Sequence, residues 1–266
     1  MWPAGKIEKV KLLFDKRYRE LKHLSEVPRY TPGSFSWGKE KLYFPDSRSF
    51  VFTYKELFLG NIYKFRSEKE APYIIDCGAN IGLSVIYFKE LFPDAKIIAF
   101  EPEKKIFEYL QKNVVAQALG NVELVNKAVW KEEGSLMFLN EGADASRISS
   151  LGDMTEKKSS YEVEAVRLSN YINQEIDFLK LDIEGAEGEV IREIEGKLNY
   201  VKRIFIEFHS PENGTQELDI ILNILNRNKF RYYVDSPIRM RKSPFVDKET
   251  FLSFDFFLNI FAEKLD

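Results

Sequence analysis

Ile74-Ile75-Asp76-Cys77-Gly78-Ala79-Asn80-Ile81-Gly82-Leu83-Ser84 joins a short apolar run, a carboxylate, a glycine-punctuated turn and the start of an amphipathic helix. A short apolar run ahead of a helix suits a parallel strand covered on both faces. Gly78 and Gly82 permit positive φ and close backbone approach, and Asn80 enters the left-handed region more readily than most residues. The helix that follows offers free N–H groups at its first turn. In a doubly wound sheet such a turn lies beyond the carboxyl ends of the strands, where ligands bind. The dinucleotide fingerprint is Gly-x-Gly-x-x-Gly. Here Asn80 stands where a middle glycine is wanted and Asp76 precedes the turn, a poor match to a pyrophosphate and a better one to a cationic ligand.

Working outward, strand and helix patterns alternate. Strands are expected at 73–76, 96–100, 122–126, 178–181, 203–208, 230–234 and 255–261, with helices at 82–91, 103–118, 185–194 and 216–226. Short strands at 136–139 and 162–167 flank a polar loop, 140–160, and a short helix is expected at 168–173. Alternation of this kind predicts an α/β fold: a doubly wound, Rossmann-like, seven-stranded sheet, mostly parallel. The last two strands lack a helix between them and are expected to form an antiparallel hairpin at one edge. Before the core, 6–24 reads as an amphipathic helix through Ile7, Val10, Leu13, Phe14, Leu21 and Leu24. Residues 28–50 read as loop and short hairpin, 51–64 as a short helix ending near Gly60-Asn61, and 67–72 as a polar link. The expected division is an N-terminal extension, 1–70, that doubles as a substrate lid, and a ligand-binding domain, 71–266.

The 266 residues are 44% hydrophobic and 30% charged, which suits a folded globular chain rather than a disordered one. Net charge is −3, so bulk electrostatics give no reason to expect a nucleic-acid partner. The single cysteine, Cys77, excludes an intrachain disulfide, fits a reducing cytoplasm and reads as a small buried hydrophobe. The N-terminus alternates charged and apolar residues without the apolar core of a secretion signal, and no stretch is long enough to span a bilayer. Neither a nucleic-acid nor a membrane partner is expected. A homodimer is compatible with the sequence.

A second acidic strand end follows 25 residues after Asp76, in Ile97-Ile98-Ala99-Phe100-Glu101-Pro102. Glu101 is placed to accept both hydroxyls of a ribose. With Asp76 beside the turn, the pair fits S-adenosylmethionine, which carries a cationic amine and sulfonium and no phosphate. A third cluster, Phe178-Leu179-Lys180-Leu181-Asp182-Ile183-Glu184-Gly185-Ala186-Glu187, ends another apolar strand in three carboxylates. The helix macrodipole alone would favour Glu184 and Glu187 there; the alternative is convergence of the three near the transferring methyl.

At these residues the sequence resembles the FkbM family of methyltransferases. The matching segments are Ile75-Asp76-x-Gly78-Ala79-Asn80-Ile81-Gly82, Phe100-Glu101-Pro102, Asn126-Lys127-Ala128-Val129, Leu179 to Glu187, and Ile206-Glu207-Phe208-His209, over roughly residues 72–210. The resemblance implies a class I methyltransferase fold and methylation, mostly of hydroxyl oxygens on sugars, glycans or polyketides, with some members acting on amide nitrogens. It implies that Asp76, Gly78, Asn80 and Gly82 cradle the amino-acid part of S-adenosylmethionine. Glu101 would hold the ribose, Pro102, Asn126 and Ala128 would lie near the adenine, and Asp182 would face the methionine amine or the acceptor.

A hydroxyl acceptor loses a proton, so a base is useful. Of the two histidines, His209 follows the fifth core strand on the ligand-binding edge and is the favoured base or orienting group; His23 reads as structural or exposed. Asp182, Glu184 and Glu207 are the other candidates. Asp182, Glu184, Glu187, Glu207 and His209 include oxygen and nitrogen donors for a hard cation, but they lack a recognisable ligand spacing, so no metal is assigned. Arg239-Met240-Arg241-Lys242 is a basic loop, and Tyr30, Phe35, Trp37, Tyr43 and Phe44 line a sugar lid, pack in the core or form a dimer surface. The expected activity is O-methylation of a saccharide or secondary-metabolite hydroxyl. N-methylation, a catalytically inactive binding protein and a nicotinamide oxidoreductase are the alternatives.

Overall fold

The computed structural model describes residues 16–140, 146–148, 160–212, 214–237, 243, 245–246 and 254–265. The basic loop 239–242 and the first half of the expected N-terminal helix lie outside them. The described chain begins with α1 (Lys16–Glu26), the hairpin β1 (Gly33–Trp37) and β2 (Glu40–Phe44), and α2 (Ser47–Tyr54), which runs into a π-helical turn, Lys55–Leu59. The α2 helix starts earlier than expected because Asp46 caps it: its extended backbone lets the side chain accept from Arg48 N and Ser49 N.

The core follows as β3 (Tyr73–Cys77), α3 (Leu83–Leu91), β4 (Lys96–Phe100), α4 (Lys104–Ala116) and β5 (Val122–Val125). Four short strands come next, β6 (Ala128–Trp130), β7 (Gly134–Asn140), β8 (Ser146–Ile148) and β9 (Ser160–Arg167). The chain returns through β10 (Phe178–Leu181), α5 (Glu187–Glu193), β11 (Arg203–Pro211), α6 (Leu218–Arg227), β12 (Phe230–Asp235) and β13 (Phe254–Lys264).

The main sheet has seven strands in the order β12-β13-β11-β10-β3-β4-β5. β13 is antiparallel to both neighbours, while the pairs from β11 to β5 are parallel. The last two strands do pair antiparallel, but β13 inserts between β12 and β11 rather than lying outermost. The strands expected at 136–139 and 162–167 belong to a separate four-stranded sheet, β6-β9-β7-β8. The chain runs from β3 to β5 in one direction and resumes at β10 on the other side of β3, so strand order reverses between β3 and β10, where doubly wound sheets bind ligands.

Side chains alternate across the sheet. Ile75, Cys77, Leu179, Leu181, Ile204 and Ile206 meet α5 and α6 on one face. Ile74, Phe178 and Phe205 face the other side, where α3 and α4 share one apolar cluster with Leu21, Phe35, Trp37, Phe44, Phe50 and Tyr54. Phe35, Trp37 and Phe44 therefore pack in the core, with Phe44 also lining a cavity; Tyr30 is exposed. Burial of each such ring contributes roughly 1.5–3 kcal/mol. Asn113, fully buried on α4, knits the segments together: it accepts from Tyr43 N (2.7 Å) and donates to Tyr43 O (2.9 Å) and to Ile81 O (2.8 Å). The extension is thus hydrogen-bonded, through one side chain, to the Gly78–Gly82 turn.

Candidate active site

The alternation that builds the core also places polar groups. Asp76, Lys180, Glu207 and His209 share the parity of Ile74, Phe178 and Phe205, so they project toward the face covered by the N-terminal extension. Lys180 is in register with Asp76 on the neighbouring strand. Its ammonium lies 3.4 Å from Asp76 Oδ1 and 3.0 Å from Asp182 Oδ2, and donates to Gly78 O at 2.8 Å. Burial works against this cation, but Asp182 and Asp76 outweigh it and hold Lys180 above the ordinary lysine range. Asp76 is fully buried; Oδ2 accepts from Ser84 Oγ, and Oδ1 has the Lys180 ammonium but no hydrogen bond. The carboxylate therefore sits beneath the turn and supports it through Ser84 and Lys180. Lys180 is the residue that reading the sequence passed over; its one signal was a lone charge inside an apolar strand.

The turn is shaped as its residues suggested. Gly78, Asn80 and Gly82 have φ of 83°, 48° and 88°. Gly78 N and Ala79 N donate to Phe100 O, fastening the turn to β4. Glu101, at the end of β4, accepts from Asn80 N (3.0 Å) on one oxygen and from Glu103 N (2.9 Å) on the other. A carboxylate fixed at both oxygens keeps further lone pairs in a set direction, which fits a ribose diol. Asn126 donates to Glu101 O (2.8 Å) and Pro102 O (3.0 Å), bracing the segment that would border the adenine. Ala128 is buried with Phe138 and Val163 in the small sheet.

Two cavities meet at Asn80 and Asp182. The smaller, about 90 Å³, runs along the turn from Gly78 to Ser84 under Phe44 and Tyr63. The larger, about 370 Å³, is bounded by Asn80, Asp182, Glu184, Glu207 and His209 on the sheet side and by Arg29, Arg48, Thr53 and Glu56 from the extension. His209 does not follow the strand as expected but lies inside β11, paired with Phe257, because the long antiparallel β13 carries the ladder on to Pro211.

Glu187 does not reach the larger cavity. It is fully buried, its Oε1 accepts from Ile183 N and Gly185 N, both at 3.1 Å, and the same oxygen lies 3.1 Å from His209 Nδ1. Glu184 does face the cavity: its backbone turns left-handed, φ 55°, and Oε2 stands 3.7 Å from His209 Nε2. Burial disfavours a charged His209, yet Glu184 and Glu187 overcome it and raise its pKa well above the histidine norm. Burial pushes Glu184 and Glu207 up to about 8, with His209 opposing the rise in each. His23 lies on α1, away from this cluster.

Burial, helped by Asp182, lifts Glu56 to about 7, and burial lifts Glu101 to about 8 against its two backbone donors. The folded protein holds these protons to higher pH than the unfolded chain, whose glutamates titrate near 4.5. The stability they contribute is therefore complete below that value and lost as pH rises through 7 to 8. The expected result is a melting temperature about 5 °C lower near pH 8.5 than near pH 5.5, with a flatter profile for Glu101→Gln. A melting temperature that climbs across this range would contradict the assignment.

The strand order, the single antiparallel strand inside the sheet edge and the acidic strand ends around a glycine turn define a class I methyltransferase. Residues 76–232 match the methyltransferase FkbM domain, and the chain belongs to that family of methyltransferases, whose cofactor is S-adenosylmethionine. It is 28% identical over 205 residues to methyltransferase sdnD of Sordaria araneosa, covering 64% of this chain and 79% of that one. It is 28% identical over 178 residues to 2-O-methyltransferase NoeI of Sinorhizobium fredii (59% and 72% covered), and 24% identical over 205 residues to 31-O-demethyl-FK506 methyltransferase FkbM of Streptomyces tacrolimicus (64% and 79%). Among solved structures, methyltransferase FkbM from Methylobacillus flagellatus superposes with a TM-score of 0.51 at 15% identity, over 78% of this chain and 47% of that one, a likeness of fold. The chain thus spans about half the length of that structure. Among the described residues no helix is long and apolar enough to cross a membrane.

Proposed function

We propose that this S-adenosylmethionine-dependent methyltransferase methylates a hydroxyl of a saccharide or secondary metabolite, and that the 370 Å³ cavity receives the acceptor. The observation that carries this reading is the meeting of the cofactor turn, at Asn80, with Asp182, Glu184, Glu207 and His209 around one cavity. Two relatives are named as a 2-O-methyltransferase and a 31-O-demethyl-FK506 methyltransferase, which supports oxygen as the acceptor atom. When bound, the cofactor supplies an electrophilic methyl group. Gly78, Asn80 and Gly82 would cradle its amino-acid end over the support that Asp76 and Lys180 provide; Glu101 would take the ribose, and Pro102 and Asn126 would border the adenine. Asp182, where the two cavities meet, favours the cationic end of the ligand.

The chain's remaining task is to align the acceptor and receive its hydroxyl proton. Asp182 bridges the two cavities and is the group best placed to orient the acceptor. Glu184 and His209 face the cavity beside it and take part in activating the hydroxyl, with Glu187 holding the imidazole in place. Residues 1–70 act as the acceptor lid through Arg29, Arg48, Thr53 and Glu56, and 71–266 as the catalytic unit. Four carboxyl groups around the cavity also suit a cationic amine, which keeps N-methylation as the second reading. The buried, unpaired Cys77 fits a reducing cytoplasm.

The test is calorimetry with S-adenosylhomocysteine, followed by transfer of labelled methyl to a panel of sugars, polyols and amines. His209→Ala should keep product affinity within about threefold and lower kcat by about 100- to 10,000-fold. Normal turnover in that variant would remove His209 from the mechanism, and absence of S-adenosylhomocysteine binding would undermine the cofactor site itself.

A further inference from the structure

We propose that Asp182, Glu184 and His209 bind one divalent cation of the magnesium or manganese type at the floor of the acceptor cavity. The inference rests on the acceptor-cavity reading above and deepens it. In sequence, two of the residues follow β10 and the third lies 27 positions after Asp182 with no ligand-like spacing. The fold joins them, because β10 and β11 are adjacent and parallel. One donor atom from each residue lies within 4.8 Å of the other two. Ligands of one ion bound at about 2.1 Å stand about 3.0 Å apart when adjacent and about 4.2 Å when opposite, so side-chain shifts on the order of an ångström close the set.

A second observation concerns His209 itself. It is 6% exposed, and Glu187 Oε1 stands 3.1 Å from Nδ1. Glu187 accepts hydrogen bonds from the backbone on that oxygen, so Nδ1 keeps its proton whatever the state of Nε2. Nε2 stands 3.7 Å from Glu184 Oε2, and a divalent cation would displace the proton that Glu184 and Glu187 hold on it and take its lone pair. A carboxylate behind a histidine, here Glu187 on Nδ1, is the arrangement that fixes metal-bound imidazoles. Lys180 engages Oδ2 of Asp182 from the buried side, which steadies that carboxylate.

Two carboxylate oxygens without a thiolate point to a hard cation, and the imidazole beside them favours manganese over magnesium. Three protein ligands beside a cavity of about 370 Å³ leave coordination positions for water and for oxygens of the acceptor. A cation there would hold the acceptor oxygen and lower the pKa of its hydroxyl. Glu207, lining the same cavity, is positioned to take that proton.

The experiment titrates chelator-treated full chain with manganese chloride and follows the free-ion paramagnetic resonance signal, with and without S-adenosylhomocysteine. One manganese per chain is expected, with a nitrogen coupling in the electron spin-echo spectrum that disappears in His209→Ala. Glu184→Gln should weaken binding at least tenfold, and Glu187→Gln by about 10- to 100-fold while the nitrogen coupling persists. Circular dichroism melts establish that each variant is folded. An undiminished free-ion signal under both conditions, or retention that survives His209→Ala, would overturn the proposal and leave His209 as an imidazolium neutralising its carboxylates. S-adenosylhomocysteine calorimetry on the same protein separates the two readings. Cofactor binding without manganese binding defeats the cation site alone, whereas loss of cofactor binding strikes at the methyltransferase reading.

Discussion

Lys180→Met is expected to lower the melting temperature by about 10 °C and to weaken S-adenosylhomocysteine binding sharply. Lys180 is 3% exposed, and its ammonium is shared by Asp76, Asp182 and the carbonyl of Gly78. Methionine fills a similar volume, so the main change is the loss of a buried cation between two carboxylates. Breaking one side of a buried ionic cluster costs about 3–5 kcal/mol, because the remaining charges stay out of water without a partner. At about 2–4 °C per kcal/mol for a chain of this size, the shift is large. Binding should suffer as well, since Lys180 fastens Gly78 and Asp182 to each other. Asp182→Asn in the same protein should recover part of the stability, by removing one uncompensated charge, without restoring binding. A change below about 2 °C in thermal melts of Lys180→Met would show that the cluster does not hold the turn.

Gly78→Ala is expected to do comparable damage by a different route. At φ 83° a Cβ would lie 1.8 Å from the carbonyl oxygen of Asp182, which is backbone and has no flexible end to swing aside. The left-handed conformation adds about 1–2 kcal/mol for any residue with a Cβ. The loop after β10 would be pushed away from the cofactor turn, separating Asp182 from Asn80 where the two cavities join. Gly82→Ala is the informative comparison. Its φ is 88°, but the Cβ would meet the tip of Leu110 at 2.6 Å, a side chain that can move. The expected order is loss of S-adenosylhomocysteine affinity by more than about 100-fold in Gly78→Ala, or no folded protein, and a smaller loss in a folded Gly82→Ala. Equal effects, read by calorimetry and melting, would mean that the close approach of the two loops is not what Gly78 provides.

Both predictions depend on neighbours that the linear chain does not announce. In the sequence Gly78 looks like a ligand-binding glycine, whereas the atom nearest its missing Cβ belongs to the loop after β10. Lys180 looks like an anomaly in an apolar strand until the register sets it opposite Asp76. The same holds for Glu187, which the helix macrodipole explains well enough until His209 is found against it, and for Glu56, Arg29 and Arg48, whose place on the cavity wall follows from packing of the extension.

The seven strands of the main sheet were legible because each is an apolar run bounded by turn residues, and because helices between most of them demand a parallel arrangement. The small sheet was half legible: β7 and β9 are long enough to show a pattern, whereas β6 and β8, at three residues each, are not. The insertion of β13 and the placing of His209 inside β11 depend on pairing between segments about 50 residues apart, which leaves no local signature. By itself, then, the sequence determined the strand–turn–helix grammar, the fold class and the left-handed glycine turn after β3, because these follow from local periodicity and from the conformational freedom of particular residues. Tertiary structure alone decided which charges meet: Lys180 with Asp76 and Asp182, Glu187 with His209, and Asp182, Glu184 and His209 around one cavity. Electrostatic partners are chosen by distances across strands and loops, and those distances exist only once the sheet has set its order and register.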